Sequence, residues 1–175
     1  GLDDGLVGYW SFNGPDIDWE TNTIYDRSGN YNHGTASGSP KAVNGKLGQA
    51  FEFDGVDDFI DVPDISITGN FTLSAWVKTT NSGNASYLVV EETNNFFWLV
   101  DNDDGDFYNG SSWTGADTIN ANDGDWHLVT VTGDGANIIT YVDNLVDKGS
   151  AITNPTSING VYIGLRVASN YYNGQ

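Results

Sequence analysis

The chain has 175 residues, enough for one ordinary domain, and its 38% apolar and 13% aromatic content supports a packed core and excludes a disordered chain. Its formal net charge of −18, from 24 Asp and Glu against 6 Lys and Arg, leaves no cationic surface to release counterions, which excludes nucleic acid and anionic lipid as partners. With no Cys, disulfides and thiolate metal sites are excluded as well.

Short β-rich runs separated by Gly, Asn and Asp clusters occur throughout, with no helical periodicity of useful length. Leu6 to Phe12 is apolar on both faces and is expected to be a central strand. Residues 13 to 46 show no convincing strand except around Ile24-Tyr25, so a long pinned or functional loop is expected there. Strands are then expected at Gln49 to Phe53 and Phe59 to Val62. Phe71 to Lys78 follows, with Phe71, Leu73, Ala75 and Val77 on one face. Further expected strands are Tyr87 to Val90, Phe96 to Val100, Trp126 to Thr132, Ile138 to Val142 and Val161 to Val167. Asp143-Asn144, Asp134-Gly135 and Asp123-Gly124 supply residues tolerant of positive φ for tight turns. About ten such strands imply an all-β, two-sheet antiparallel sandwich in a single domain over residues 1–175. Trp10, Phe53, Trp76, Trp126 and Val129 are the expected core.

Of the 24 acids, 20 are Asp, a turn and cap residue, which places the acidity mainly in loops. There is no Met, so Gly1 is not a translation start. The chain is expected to be a processed or excised product, secreted and extracellular or on the cell surface. No apolar run approaches the roughly 20 residues of a membrane helix, and membrane insertion is not expected.

Several motifs in order carry a resemblance. They are Gly5-Leu-Val-Gly-Tyr-Trp-Ser-Phe12, Tyr25-Asp-Arg-Ser-Gly-Asn30 with Asn32-His-Gly-Thr35, and Gly45-Lys-Leu-Gly-Gln-Ala-Phe-Glu-Phe-Asp-Gly-Val-Asp-Asp58. Phe71-Thr-Leu-Ser-Ala-Trp-Val77, Asp123-Gly-Asp-Trp-His-Leu-Val-Thr-Val131 and Tyr141-Val-Asp143 complete the series. Together they resemble the laminin-G-like, concanavalin A-like jelly-roll domains attached to secreted microbial enzymes and adhesins. The resemblance implies a jelly-roll β-sandwich. It also implies one more strand after Asn173-Gly174, of the type Ile-Asp-Glu-Val-Arg-Ile-Tyr, where this sequence stops at Gln175. A second copy or a strand-donating partner beside Leu6–Phe12 or Val161–Val167 is the expected consequence, unless the chain was cut from a longer one.

Calcium takes six to eight oxygens, about the set offered by Asp26, Asn30, Asn32 and the carbonyl of His33 in one curled loop. The resemblance implies a structural Ca2+ at this loop. The alternative is a stack of Asx turns that needs no metal. Asp101-Asn-Asp-Asp-Gly-Asp106 lacks the EF-hand spacing, because Gly105 falls where the third ligand belongs and Ser112 where the Glu should be. A polar hairpin turn is expected there.

Sugar rings stack on aromatic faces while amides and carboxylates take the hydroxyls. Tyr87, Asn95, Trp98, Asn109 and Trp113 combine those groups in one segment and are the candidate glycan-binding residues. The alternative is that Trp98 fills the second face of its strand and Trp113 covers a sheet edge. The glutamates are Glu20, Glu52, Glu91 and Glu92, with no Glu-x-Asp-x-x-Glu strand to pair carboxylates for glycoside cleavage. His127 reads as a packed strand histidine, and no catalytic residues are assigned. The sequence therefore predicts a non-catalytic carbohydrate-binding or adhesion module that takes a glycan or a surface protein. The competing reading is a structural or assembly subunit without glycan binding.

Overall fold

The computed structural model describes residues 4–65, 69–80, 86–91, 97–101, 104–109, 111–112, 114, 119–150 and 161–164. A single 3-10 turn, Gly14–Asp16, precedes β1 (Ile17–Asp18), β2 (Thr23–Ile24), β3 (Gly34–Ser37), β4 (Lys41–Asn44), β5 (Gln49–Glu52) and β6 (Phe59–Val62). β7 (Phe71–Val77), β8 (Ser86–Glu91), β9 (Phe97–Asp101) and β10 (Asp104–Tyr108) follow. The series closes with β11 (His127–Gly133), β12 (Ile138–Val142), β13 (Leu145–Ser150) and β14 (Val161–Ile163). Among the described residues no helix is long and apolar enough to cross a membrane.

Every pairing among the described strands is antiparallel. A large sheet of eight strands runs β1-β2-β3-β6-β14-β8-β9-β10, and a small sheet of four runs β13-β12-β11-β7. β4 and β5 form a separate hairpin. β14 sits between β6 and β8, so a strand late in the chain closes the middle of the large sheet. This is the crossing connectivity of a jelly roll rather than a meander.

The two sheets share one core. Ile24, Ile60, Val62, Trp98, Val100, Phe107 and Val161 come from the large sheet, and Val77, Val129, Val131, Ile138 and Val142 from the small one. Alternation produces these faces: β12 reads buried, half-buried, buried, half-buried, buried from Ile138 to Val142. The Phe71 and Phe107 rings stack across the sheets at 5.8 Å. Gly34 lets β3 approach β6, since a Cβ there would lie 2.6 Å from Ile60 Cγ2.

The turns follow their chemistry. Asp143 and Asn144 adopt φ of 50° and 67° between the paired ends Val142 and Leu145, the geometry of a two-residue hairpin turn. Asp101 pairs with Asp104, so β9 and β10 form an antiparallel pair whose connecting residues 102–103 lie outside the described residues.

Three expectations change. Leu6–Phe12 forms no strand. Its polar backbone groups are taken by side chains from the loop 26–32, which removes the ladder that a strand requires. Residues 13 to 46 do contain strands, β1 to β4, too short to show a period. Trp76 is not core: β7 turns it outward with Thr72 and Ser74, 37% exposed, with Lys46 Nζ 5.3 Å from its ring centre. Trp10, Phe53 and Trp126 are half-buried, whereas Val129 is fully buried. The expected strand at Val161–Val167 is seen as Val161–Ile163, and residues 165–175 lie outside the described residues. Among the described residues, β7 pairs with β11 alone.

Phe107 has no exposed surface and joins the sheets, so Phe107→Ala should cost about 3–5 kcal/mol of unfolding free energy in a urea titration. Val146→Thr, on a side chain 62% exposed, should stay within about 0.5 kcal/mol. Equal losses at both positions would contradict the assigned core.

Candidate functional site

The buried carboxylate of Asp26 organises one end of the molecule. Its Oδ1 accepts from the backbone N–H of Tyr9 at 2.9 Å and of Ser28 at 2.8 Å. Its Oδ2 accepts from Ser28 Oγ at 2.7 Å and from the N–H of Asn32 at 3.0 Å. Burial pushes this carboxyl up, but the bonds from Ser28, Tyr9 and Asn32 outweigh it and hold Asp26 below the ordinary carboxylate value. The amides of Asn30 and Asn32 then donate outward, Asn30 Nδ2 to the carbonyl of Leu6 at 2.7 Å and Asn32 Nδ2 to that of Val7 at 2.9 Å. Trp10 Nε1 donates to the carbonyl of Asn32 at 2.9 Å. Arg27 pairs with Asp16, and that bond, followed by one from Ser11, holds the Asp16 carboxyl below its ordinary value.

This arrangement bears on the calcium expected at Asp26, Asn30, Asn32 and His33. A carboxylate offers about four lone-pair positions, and protein donors fill all of them at Asp26. Asn30 and Asn32 turn N–H donors, not oxygens, toward Leu6 and Val7. His33 Nδ1 accepts from the N–H of Asp26 at 3.1 Å. The donor set does not fit a bound cation, and the loop has the Asx-turn form. A different acid cluster, Asp54, Asp57 and Asp58, has ligand atoms within 4.8 Å of one another and could hold a metal ion. Its oxygens also accept backbone bonds: Asp54 Oδ1 from Val56 at 2.8 Å, and Asp58 Oδ1 from Ser39 at 2.6 Å.

The same loop carries a strained aromatic. Tyr31 adopts φ of 61° and its side chain is 79% exposed. A left-handed conformation in a bulky residue costs on the order of 1–2 kcal/mol. Phe12, at φ 56°, offsets the same cost by stacking on Phe51 at 5.1 Å. Among the described residues, the Tyr31 ring meets the His33 ring in a T-shaped contact, at 5.9 Å and 81°.

On the outer face of the large sheet, Thr35, Asp61 and Tyr162 stand in one cross-strand row. Phe59 packs edge-to-face on Tyr162 at 5.6 Å and 86°. Asp61 and Thr35 are exposed, while Phe59 and Tyr162 are half-buried. The alternation of Phe59 and Asp61 with buried Ile60 and Val62 creates this face. The sequence carried that signal, but the rows across strands emerge only from the register.

Of the glycan-binding candidates, Trp98 is 2% exposed and packs inward opposite Phe107, so its ring cannot present a face to a sugar. Asn109 Oδ1 is engaged in a turn, accepting from Ser111 at 3.0 Å and Ser112 at 2.8 Å. Tyr87 lies on β8 opposite Leu99, and its side chain is outside the described part. Asn95 and Trp113 lie outside the described residues.

His127 is clamped between two carboxylates, with Nδ1 2.8 Å from Asp143 Oδ2 and Nε2 3.0 Å from Asp123 Oδ1. Burial lowers its proton affinity, but the bonds to Asp123 and Asp143 outweigh burial and raise its pKa. Asp143 also accepts from the N–H of Leu128 at 2.9 Å, so the clamp ties the start of β11 to the β12–β13 turn.

Residues 54–175 match the concanavalin A-like lectin/glucanases superfamily, in its laminin G branch, and the chain belongs to that family. No curated protein matches it in sequence. Among solved structures, domain 4 of AbnA superposes with a TM-score of 0.76 at 17% identity, over 96% of this chain and 87% of that one. AbnA is a GH43 extracellular arabinanase from Geobacillus stearothermophilus, and that structure is a complex with arabinotriose. The binding domain of Paraclostridial Mosquitocidal Protein 1 superposes at 0.70 with 16% identity, over 99% of this chain and 46% of that one. This chain thus spans less than half of the second structure.

Asp26→Ala removes the acceptor of three backbone N–H groups and one hydroxyl, and should lower stability by about 3 kcal/mol or more in a urea titration. A loss below about 1 kcal/mol would show that the carboxylate does not hold the loop.

The His127 clamp sets a pH window. A raised histidine pKa contributes stability fully below 6.5, lost as pH rises through the folded value. The lowered pKa values of Asp123 and Asp143 contribute above 3.8, lost as pH falls through theirs. The melting-temperature gap between the parent chain and His127→Gln should therefore be widest between those two values and shrink on the alkaline side. A gap that grows with pH above 6.5 would reverse the sign and refute the clamp.

Proposed function

We propose that the chain is a single-domain, non-catalytic carbohydrate-binding module, extracellular, whose neutral glycan lies across the outer face of the large sheet. The observation that carries this reading is the Phe59–Tyr162 pair beside exposed Asp61 and Thr35 in one surface row. Aromatic surface takes the C–H face of a sugar ring, and a carboxylate and hydroxyl beside it take the ring hydroxyls. Tyr87 is assigned to the same ligand, because it lies on β8, which is hydrogen-bonded to β14, the strand that carries Tyr162. Asn95 and Trp113, the other candidates from the sequence, lie outside the described residues. Buried Trp98 and turn-forming Asn109 are left out of it. The net charge of −18 disfavours acidic polysaccharides and leaves neutral ones. Support also comes from the likeness to domain 4 of AbnA, solved with arabinotriose.

A neutral-oligosaccharide array that includes arabino-oligosaccharides, followed by calorimetry, tests this. At least one saccharide should bind, and Asp61→Ala and Tyr162→Ala should each weaken it about tenfold, the scale of losing a contact residue. The bound saccharide should remain uncleaved on prolonged incubation. Binding unaffected by both substitutions would remove the sheet face from the site, and cleavage products would overturn the non-catalytic reading.

A further inference from the structure

We infer that the loop around Tyr31 is a second saccharide-contacting surface, separate from the sheet face, with the Tyr31 ring as its stacking platform. The inference rests on the carbohydrate-binding reading of the preceding section.

Three observations carry it. The first is the combination of strain and exposure. Tyr31 occupies the left-handed region at φ 61° yet is 79% exposed. Glycine is the default residue at such a φ, and a bulky one persists there only when the surroundings impose it. At Phe12 the return is a buried ring contact with Phe51. At Tyr31 no comparable ring contact exists among the described residues: the flanking hydrogen bonds hold the positive φ, but they do not require a tyrosine there in place of glycine.

The second is rigidity. The residues on either side of Tyr31 are fixed: Asn30 binds the carbonyls of Leu6 and Val7, and the N–H of Asn32 binds Asp26. His33 braces the ring through a T-shaped contact and is itself packed against Tyr25 at 5.2 Å. An aromatic held in place before binding loses little conformational freedom when a ligand arrives.

The third is the company that the ring keeps. The segment stitched to this loop exposes Tyr9 by 52% and Val7 by 43%. Arg27 N–H donates to the carbonyl of Tyr9 at 2.8 Å, so this segment is tied to the loop through the backbone as well. Asn30 is exposed, and with its Nδ2 committed to Leu6 and Val7 no donor among the described residues is bonded to its Oδ1. Aromatic faces beside an amide oxygen suit a neutral sugar ring. Anionic polymers and anionic lipid are disfavoured by the net charge of −18.

The test compares Tyr31→Gly, Tyr31→Phe and Asp61→Ala with the parent chain, by thermal melting and by calorimetry. The probes are arabinotriose, xylotriose and cellotriose. Tyr31→Gly should raise the melting temperature by a few degrees as the strain is relieved, and weaken saccharide binding about tenfold. Tyr31→Phe should preserve binding, since it keeps the ring. A lowered melting temperature for Tyr31→Gly would make Tyr31 a structural residue and overturn the inference. Binding lost in Asp61→Ala but unchanged in Tyr31→Gly would also overturn it, leaving the sheet face standing. Loss in Tyr31→Gly with none in Asp61→Ala would support the loop and remove the sheet face. No binding of any probe by the parent chain would overturn the loop site, and a blank neutral-glycan array would overturn the carbohydrate reading with it.

Discussion

A single buried carboxylate, Asp26, decides how one end of this sandwich is built. It collects N–H groups from Ser28 and Asn32 of its own loop and from Tyr9 of the N-terminal run, so one buried group fixes the loop and ties it to its neighbour. The N-terminal run Leu6–Phe12 is apolar enough to be a strand, yet its backbone is bonded to side chains of the loop instead of to a neighbouring ladder. Trp10 is drawn to the carbonyl of Asn32, and the Tyr31 ring is fixed in an exposed, left-handed position. Remove the carboxylate and several buried or half-buried donors lose their acceptor together, a loss that no surface contact offsets.

Of the two proposed ligand surfaces, the loop depends on that network and the sheet face does not. The sheet face is set by strand register: β14 enters between β6 and β8 and brings Tyr162 beside Asp61 and against Phe59. The loop surface is set by hydrogen bonds to side chains, which can hold a conformation that a ladder would not permit. Among the described residues, both surfaces combine aromatic and polar groups, the character that suits sugar recognition.

How much of this was legible in the sequence varied with the length of the pattern. β7, β11 and β12 alternate over five to seven residues, so strand type and inward face could be read directly, as at Val129 and Val142. The turn at Asp143-Asn144 was equally legible, because few residues tolerate its φ values. β1 and β2 have two residues each, too short for any period. Trp76 misled because an aromatic in a strand suggests core, while its parity with exposed Thr72 and Ser74 places it outside. Trp98 misled in the opposite direction. In the metal loop, the ligand types suited calcium, but sequence alone could not reveal that Asp26 already had four protein donors. The row of Thr35, Asp61 and Tyr162 joins residues more than a hundred positions apart, and only register assembles it.

Amide hydrogen exchange at Tyr9, Ser28 and Asn32, measured in calcium-free buffer and again with calcium, tests most directly whether the protein's own donors complete the Asp26 site. All three amides should be protected without calcium, at similar levels, and adding calcium should change none of them. Protection that appears only when calcium is present would show that a cation, not the hydrogen-bond network, holds this end of the fold together.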